Sequence, residues 1–306
     1  MGERVTISEV GPRDGLQMVK SIMSTPDKIE WIKALAAAGL HEIEVGSFVP
    51  PKLIPQMADT ADVVRASLEI PGLTVVTLVP NLKGAQRAYE SGAHVITVPV
   101  SVSESHSRAN TNKGSLEQVA EVRAIVEWVR AQDRKVKLDA GCVTAFGCSI
   151  EGQVPESRVI EIATALADAG VDGIVLADTV GYGNPAQVRS IVRGVYREIG
   201  EKLERLHLHD TMGLGIANAL AGLEEGIRVF DSALAGLGGC PFAPGASGNI
   251  VTEDLVFMLE SMGFDTGVDL DGLIVARELL HRALPEVTLL GNVVKAGIPR
   301  TYKRAA

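Results

Sequence analysis

The most constraining feature of this sequence is a regular alternation of short, β-rich segments with longer helical ones. Eight short segments are rich in Val, Ile and Leu, as expected of strands buried on both faces. They span residues 4–10, 41–46, 73–79, 93–98, 135–140, 171–177, 205–209 and 228–233. Strict alternation predicts an α/β fold with one parallel sheet. Eight such units favour a closed (β/α)8 TIM barrel over a doubly wound sheet, which commonly has about six strands.

The helical segments carry recognisable boundary signals. Thr25, followed by a proline, is the predicted N-cap of a helix that ends at Gly39. Asn184, also followed by a proline, is predicted to cap another. Segments 115–131 and 156–170 are amphipathic, which is typical of helices packed on one side of a sheet.

The simple pattern stops near residue 236. A loop rich in Gly and Pro spans 236–250, and helical segments follow at 252–262 and 270–282. We interpret 236–250 as an active-site loop and 252–306 as additional C-terminal helices packed on the barrel. Residues 1–306 therefore form one catalytic barrel domain in this prediction.

Composition excludes several classes of protein. The 306 residues are 46% hydrophobic and 22% charged, which is typical of a globular protein with a sizeable core. Acidic residues outnumber basic ones, 38 against 29, so the net charge is −9, and aromatic residues are only 4%. Because nucleic-acid-binding proteins are usually basic or rich in stacking aromatics, we expect no nucleic-acid partner. An anionic ligand would need a local basic pocket.

The sequence also indicates a compartment. Three cysteines, at positions 142, 148 and 240, are too few and odd in number for a disulfide framework. No apolar run approaches the roughly 18 residues of a membrane span, and the start, MGERVTISEV, lacks a signal-peptide layout. We therefore expect a cytoplasmic protein that does not contact membranes.

Charged residues follow the first predicted strand. Arg13 and Asp14 lie in the segment GPRDGLQ, which also contains Gln17. In a TIM barrel the active site lies at the carboxyl ends of the strands, so this segment is a candidate for chemistry. The alternative is an ordinary turn, since Asp-Gly is a frequent turn pair.

Two histidines at the end of the seventh strand suggest a metal site. His207 and His209 are two residues apart, so both imidazoles project from the same face of the strand. Asp14 and Asn249 could complete a set of nitrogen and oxygen ligands, which suits Mg²⁺ or Mn²⁺ better than structural zinc. The alternative is a pair of histidines satisfied by hydrogen bonds.

Acidic residues lie near the carboxyl ends of two more predicted strands. Glu44 lies near the end of the second strand and Asp178 near the end of the sixth. Both are candidates for proton transfer and for orienting Arg13. Each could instead be a structural acid in an ion pair.

Cys240 is flanked by glycines and a proline in the loop 236–250. Such a thiol beside a metal site is placed to donate or accept a proton as a loop closes. The alternative is an inert, buried cysteine. Cys142 and Cys148 are interpreted as structural or lining residues. The glycine-rich segments match neither a P-loop nor a dinucleotide-binding fingerprint.

Taken together, these segments resemble the 3-hydroxy-3-methylglutaryl-CoA lyase family of metal-dependent barrels. The resemblance extends over about 5–280 and is carried by VGPRDGLQ, IEVGSFVPPKLIPQM, LVPNLKG, HLHDTMG and GLGGCPFAPGASGNIVTEDLVFMLE. It implies a retro-Claisen cleavage of an acyl-CoA to acetyl-CoA and acetoacetate, with Mg²⁺ or Mn²⁺ as cofactor. It also makes a homodimer plausible.

The resemblance implies a role for each matching residue. Arg13 would stabilise the enolate oxygen, Cys240 would protonate the enolate, and Glu44 and Asp178 match the active-site acids. His207 would combine metal binding with proton transfer. The implied metal ligands are Asp14, His207, His209 and Asn249, and the candidate substrate-binding residues are Gln17, Lys20, Ser47 and Arg108.

The sequence departs from the family pattern near the expected substrate mouth. Met18 and Val19 replace polar residues, and Met212 and Phe242 replace tyrosines. These changes leave open a lyase for a related 3-hydroxyacyl-CoA, such as a longer branched 3-hydroxyglutaryl-CoA or citramalyl-CoA. A Claisen-condensing acyltransferase and a non-catalytic metal-binding barrel are further alternatives. The first would share the Arg-Asp pair and the histidines but typically lacks the cysteine loop, and the intact candidate residues argue against the second.

Overall fold

The fold is a closed barrel of eight parallel strands. A computed structural model of the chain describes residues 2–239 and 248–302. Neighbouring strands pair in sequence order, and the first strand pairs with the eighth to close the barrel. The strands are β1 (Thr6–Glu9), β2 (Glu42–Ser47), β3 (Thr74–Leu78), β4 (Val95–Ser101), β5 (Lys137–Val143), β6 (Gly173–Asp178), β7 (Leu203–Leu208) and β8 (Val229–Ser232).

Helices surround the barrel and follow the strands in the chain. They are α1 (Thr25–Ala37), α2 (Thr60–Leu68), α3 (Leu82–Ser91), α4 (Glu104–Thr111), α5 (Ser115–Arg130), α6 (Glu156–Asp168), α7 (Pro185–Ile199), α8 (Gly215–Glu224), α9 (Thr252–Ser261), α10 (Leu270–Ala283) and α11 (Asn292–Ala296). Near the C-terminus, α10 packs beside α1, and α9 contacts β1. The predicted (β/α)8 TIM barrel with additional C-terminal helices is confirmed.

The predicted strands all exist, and their ends differ from the prediction by at most three residues. The largest differences are at the carboxyl ends of β4 and β5, which continue as far as Ser101 and Val143. These two strands pair along their whole length. Ladder hydrogen bonds between neighbours therefore extend both strands beyond the apolar run that marked them in the sequence.

One helix cap differs from its prediction. The N-cap of α1 is Ser24, whose hydroxyl accepts a hydrogen bond from the Asp27 N–H at 3.3 Å. Thr25 is the first helical residue, and its hydroxyl donates to Asp59 at 2.7 Å. The sequence interpretation was wrong here because a tertiary bond takes the Thr25 side chain. Gly39, with φ of 95°, follows the helix end as expected.

The apolar core lies between the strands and the helices. Alternate strand positions face outward and are fully or almost fully buried, among them Ile7, Ile43, Val75, Leu138, Leu206 and Phe230. The opposite face points into the barrel. There, Val, Ile and Leu layers are common in TIM barrels, but this chain places ionisable side chains such as Glu42, Arg205 and Asp231. The barrel interior is therefore the polar part of the molecule.

Candidate active site at the carboxyl end of the barrel

Arg13 and Asp14 lie in a single tight turn after β1. This turn, Gly11–Gly15, is held by the carbonyl of Val10, which accepts the N–H of Arg13 at 3.1 Å and that of Asp14 at 2.7 Å. A Cβ at Gly15 would lie 2.8 Å from the Leu237 side chain, so glycine is needed at this close approach. The turn directs both charged side chains into the mouth of the barrel, where they are buried.

Arg13 connects two carboxylates. Its Nε donates to Glu44 Oε2, and its Nη1 donates to Asp14 Oδ1, each at 2.5 Å. Burial alone would raise the pKa of Asp14, but the Arg13 charge and the neighbouring histidines lower it below its usual range. Burial raises the pKa of Glu44 in spite of Arg13. The pKa values of the two acids are thus shifted in opposite directions, that of Asp14 downward and that of Glu44 upward.

His207 and His209 bring two ring nitrogens to the same point. Their Nε2 atoms are 3.1 Å apart, and Asp14 Oδ2 lies 4.0 Å from the first and 3.6 Å from the second. One ligand atom from each of these three residues lies within 4.8 Å of the others. The predicted same-face arrangement of the histidines is therefore present, although β7 ends one residue before His209.

Asn249 completes the cluster from the far end of the loop 236–250. It forms a β-bridge with His209, and its Nδ2 donates to Asp14 Oδ2 at 2.7 Å and to the Leu237 carbonyl at 3.2 Å. Its Oδ1 is buried and, like His209 Nδ1, accepts or donates no hydrogen bond within the described ranges. A buried amide oxygen left unpaired beside a carboxylate and two facing imidazoles is a donor set that fits a divalent cation.

Asp178 has a different environment. Its carboxylate is fully buried and accepts hydrogen bonds from the backbone N–H groups of Tyr182 at 3.0 Å and Gly183 at 2.9 Å. Burial raises its pKa, and these hydrogen bonds oppose the shift. The residue therefore organises the loop after β6, and its predicted catalytic role stays a prediction.

The candidate substrate-binding residues divide into two pairs. Gln17 Nε2 donates to Asp14 Oδ1 at 3.0 Å, and the Ser47 hydroxyl is buried at the end of β2, where it accepts the Val49 N–H. Arg108 is exposed on α4 and pairs with Glu104, and Lys20 is exposed after the first turn. Of the four, the structure places Gln17 in contact with the cluster and Ser47 at the same carboxyl end of the barrel. All four substrate roles stay predictions.

Cys240 lies outside the described residues, as does Phe242. Cys142 and Cys148 are both free thiols and fully buried. Burial raises the pKa of the Cys142 thiol to about 12. These two positions agree with the interpretation of both residues as structural.

Sequence reasoning missed two residues beneath the cluster. Asp231, on β8, lies opposite His207 in register, with 3.0 Å between Asp231 Oδ2 and His207 Nδ1. Arg205 Nη1 donates to Asp231 Oδ1 at 3.1 Å. The spacing of Arg205, His207 and His209 indicates that this inward face needs acidic partners from a neighbouring strand. It does not indicate which residue supplies them.

No helix within residues 2–239 and 248–302 combines the length and the apolar character needed to cross a membrane.

Comparison with known proteins gives one consistent family. The HMGL-like family model matches residues 4–280. The mitochondrial hydroxymethylglutaryl-CoA lyase of Rattus norvegicus is 42% identical over 286 residues, covering 94% of this chain and 87% of the rat protein. A hydroxymethylglutaryl-CoA lyase of Bacillus subtilis is 41% identical over 282 residues, covering 92% of this chain and 94% of its own.

Solved structures agree with these relatives. A hydroxymethylglutaryl-CoA lyase from Pseudomonas aeruginosa superimposes with a TM-score of 0.91 at 38% identity, covering 97% of this chain and 98% of that one. An HMG-CoA lyase from Acinetobacter baumannii, in complex with coenzyme A and 3-methylmalate, gives 0.91 at 40% identity, covering 99% and 98%. The resemblance stated from the sequence is thereby confirmed, and this chain belongs to the HMGL-like family of carbon–carbon lyases.

Proposed function

We propose that this protein is a divalent-metal-dependent lyase that cleaves 3-hydroxy-3-methylglutaryl-CoA to acetyl-CoA and acetoacetate. The observation that carries the proposal is the direct contact between Arg13 and Asp14, one of the three clustered cation-binding residues. A cation site and a fixed positive charge therefore meet at the mouth of the barrel. The names of the relatives support the choice of substrate.

The reaction needs three events. The tertiary hydroxyl loses a proton, the adjacent carbon–carbon bond breaks, and the resulting thioester enolate takes up a proton. A divalent cation, Mg²⁺ or Mn²⁺, held by Asp14, His207, His209 and Asn249, would supply acidification of the hydroxyl and orientation of the substrate. An acyl-CoA can be accepted in spite of the acidic net charge because Arg13 and a bound cation together would make the mouth locally positive.

Arg13 is assigned to the developing negative charge. Its Nε and Nη1 are fixed by Glu44 and Asp14, and its Nη2 takes part in neither bond. A guanidinium held in place on two sides is preorganised to face the enolate oxygen. A single donor of this kind is typically worth ~3–4 kcal/mol in the transition state of acyl transfer.

Proton transfer is assigned to His207 and Cys240. His207 lies among the residues that could hold the cation and is supported on its other side by Asp231, so its Nε2 has a fixed orientation. That atom would either bind the cation or accept the hydroxyl proton, and the two roles would belong to different stages of the reaction. Cys240 is the proposed acid that protonates the enolate, on the strength of its glycine-rich loop in the sequence. Asp178 is proposed as a further catalytic acid of the site.

A related 3-hydroxyacyl-CoA is the second candidate substrate. Met212 replaces a tyrosine of the family pattern and is 59% exposed. It follows His209 closely, and Asp210 between them donates its N–H to the Gly248 carbonyl at 3.1 Å. An exposed apolar side chain near the mouth favours a longer or less polar acyl group.

A panel assay tests the proposal. The metal-stripped protein is supplied with Mg²⁺ or Mn²⁺, and acetyl-CoA release is measured from 3-hydroxy-3-methylglutaryl-CoA, longer branched analogues and citramalyl-CoA. We expect release from the first ester, loss of activity in His207→Ala, and full activity in His281→Ala, which changes an exposed histidine on α10. If only another ester is cleaved, the substrate assignment is wrong. If no ester of the panel is cleaved, the assignment of lyase activity is wrong.

The role of Cys240 has its own test. Cys240→Ser is expected to lose most activity while still binding Mn²⁺, because it removes the acid and leaves the metal ligands in place. Cys142→Ala is the matched control, since it removes a fully buried thiol on β5. Equal activity in the two variants would remove Cys240 from the mechanism.

The proposal extends to a homodimer and a cytoplasmic location. Both rest on the family resemblance and on the sequence features given above. Sedimentation velocity on the purified protein tests the first, and fractionation of the source cells tests the second.

A further inference from the structure

Beneath the cation-binding cluster, β7 and β8 carry a second set of charged side chains. Arg205 and His207 are two residues apart on β7 and face the interior together. Asp231 on β8 is the register partner of His207. Its Oδ2 lies 3.0 Å from His207 Nδ1, and its Oδ1 accepts from Arg205 Nη1 at 3.1 Å.

We propose that Asp231 is a positioning residue that fixes the tautomer and ring orientation of His207. With Nδ1–H donated to Asp231, the Nε2 lone pair of His207 faces Asp14 and is free to bind a cation. Arg205 holds the Asp231 carboxylate in place. This inference rests on the proposed function, because it assumes that the cluster binds a divalent cation.

The arrangement requires a carboxylate at position 231. Arg205 and His207 both present N–H donors to this side chain, so it must accept on both oxygens. Arg205 is itself fixed, since its Nη1 also donates to the Ser8 hydroxyl at 3.0 Å and its Nη2 lies 2.7 Å from Glu42 Oε1. Asparagine offers only one acceptor and would present its NH₂ group to one of the two donors.

The two histidine ligands are supported differently. His209 Nδ1 has no hydrogen-bond partner within the part of the chain that the structure describes, and this residue is placed by its backbone bridge to Asn249. His207 depends instead on a side-chain bond. Loss of Asp231 should therefore disturb the orientation of His207 and leave His209 in place.

Metal affinity measures this role without the reaction. The metal-stripped full-length protein is titrated with Mn²⁺, and free Mn²⁺ is followed by electron paramagnetic resonance. We expect Asp231→Asn to bind Mn²⁺ about 10–100-fold more weakly than the wild type, as is usual when the partner of a ligating histidine is removed. Mn²⁺ affinity equal to the wild type would overturn the inference.

Asp139→Asn is the matched control. Asp139 is also a buried interior aspartate in an ion pair, with its Oδ2 3.1 Å from Lys137 Nζ. The same substitution there should leave the Mn²⁺ affinity unchanged. If both variants lose affinity equally, the effect is a general consequence of interior charge removal and the inference is wrong.

A spectroscopic measurement observes the hydrogen bond in the wild type itself. A His207 N–H bonded to a carboxylate should give a downfield, slowly exchanging imidazole proton in the NMR spectrum of the Mg²⁺-loaded wild type, assigned by its loss in His207→Gln. Its absence would overturn the inference. The wild type could bind Mn²⁺ and show this NMR signal but cleave no ester in the panel. That result would contradict the proposed reaction and leave the role of Asp231 intact.

Discussion

The barrel interior has two layers of polar side chains that differ in how their charges are arranged. In the lower layer, Glu42, Lys137, Asp139 and Arg205, each of the four side chains lies within ion-pair distance of an opposite charge. In the upper layer, Arg13, Asp14, Glu44, His207, His209 and Asn249, possible ligand atoms converge, because the Nε2 atoms of the two histidines are 3.1 Å apart and Asp14 Oδ2 lies within 4.0 Å of both. Buried atoms without a hydrogen-bond partner occur in both layers, so they do not distinguish them. Alternating opposite charges are typical of a structural network, whereas converging ligand atoms are typical of a binding site.

Removing the central charge of the lower layer gives the largest expected effect. Arg205→Met leaves Glu42 and Asp231 buried without their cation. Breaking a buried pair in this way typically costs about 3–5 kcal/mol in the free energy of unfolding. Urea denaturation with Mg²⁺ absent measures this cost. If the midpoint stays at the wild-type value, the lower layer is not a structural network.

Removing the arginine of the upper layer should act on the reaction instead. Arg13→Gln is expected to lower kcat by about 10²–10³, because the donor to the enolate oxygen is lost. Its cost in unfolding free energy should be smaller than that of Arg205→Met. Glu44 can take up a proton when its partner is removed, since burial already raises its pKa.

Steady-state kinetics and urea denaturation on the two arginine variants make the contrast quantitative. A variant Arg13→Gln that unfolds as easily as Arg205→Met would break the distinction between the layers.

Glu9 sharpens the comparison because it is a buried acid outside both layers. Within residues 2–239 and 248–302, its carboxylate accepts hydrogen bonds from neutral groups, which are the N–H groups of Gly11 and Leu234 at 2.9 Å and the Thr252 hydroxyl at 2.7 Å. Burial raises its pKa from 4.5 to about 8. Between these values the folded state holds a proton that the unfolded state has lost, so this residue makes stability fall as pH rises from about 5 to about 8.

Glu9→Gln should remove that slope, because the amide resembles the protonated acid. Urea midpoints of the wild type and the variant are compared from pH 5 to pH 9, and the difference between them should grow with pH and level off above about 8. A difference that is constant over this range would contradict the raised pKa.

The smallest effect is expected at the edge of the upper layer. Gln17→Ala removes one hydrogen bond to Asp14 Oδ1. A bond to a charged group is worth about 1.5–3 kcal/mol at most, and about 1 kcal/mol where solvent can replace it. We therefore expect Mn²⁺ affinity to fall less than about tenfold. A larger loss would mean that Gln17 belongs with the metal ligands.

The sequence allowed the barrel and half of the site to be predicted, for a physical reason. Strand ends converge in a TIM barrel, so Arg13, Asp14, His207 and His209 could be placed together from their positions after strands alone. Partners that are set by the register between two strands could not be predicted in this way. Asp231 faces His207 because β7 and β8 pair at those residues, and no local pattern encodes that pairing.

The cap of α1 was missed for a similar reason. The hydroxyl of Thr25 is a capable cap by itself, but Asp59, 34 residues further on, takes it. Local propensity decides such positions only when no tertiary partner competes.

The hydrogen bond from Asn249 Nδ2 to the Leu237 carbonyl joins the two ends of the segment that carries Cys240. This bond holds Asn249 by a contact that does not depend on the side chains between the two ends. Because the closure cost of a loop depends only weakly on its length, about 0.6 kcal/mol for a doubling, residues added on either side of Cys240 should leave Asn249 beside Asp14. Acyl specificity could therefore be altered around Cys240 while that thiol and the cluster of Asp14, His207 and His209 are kept.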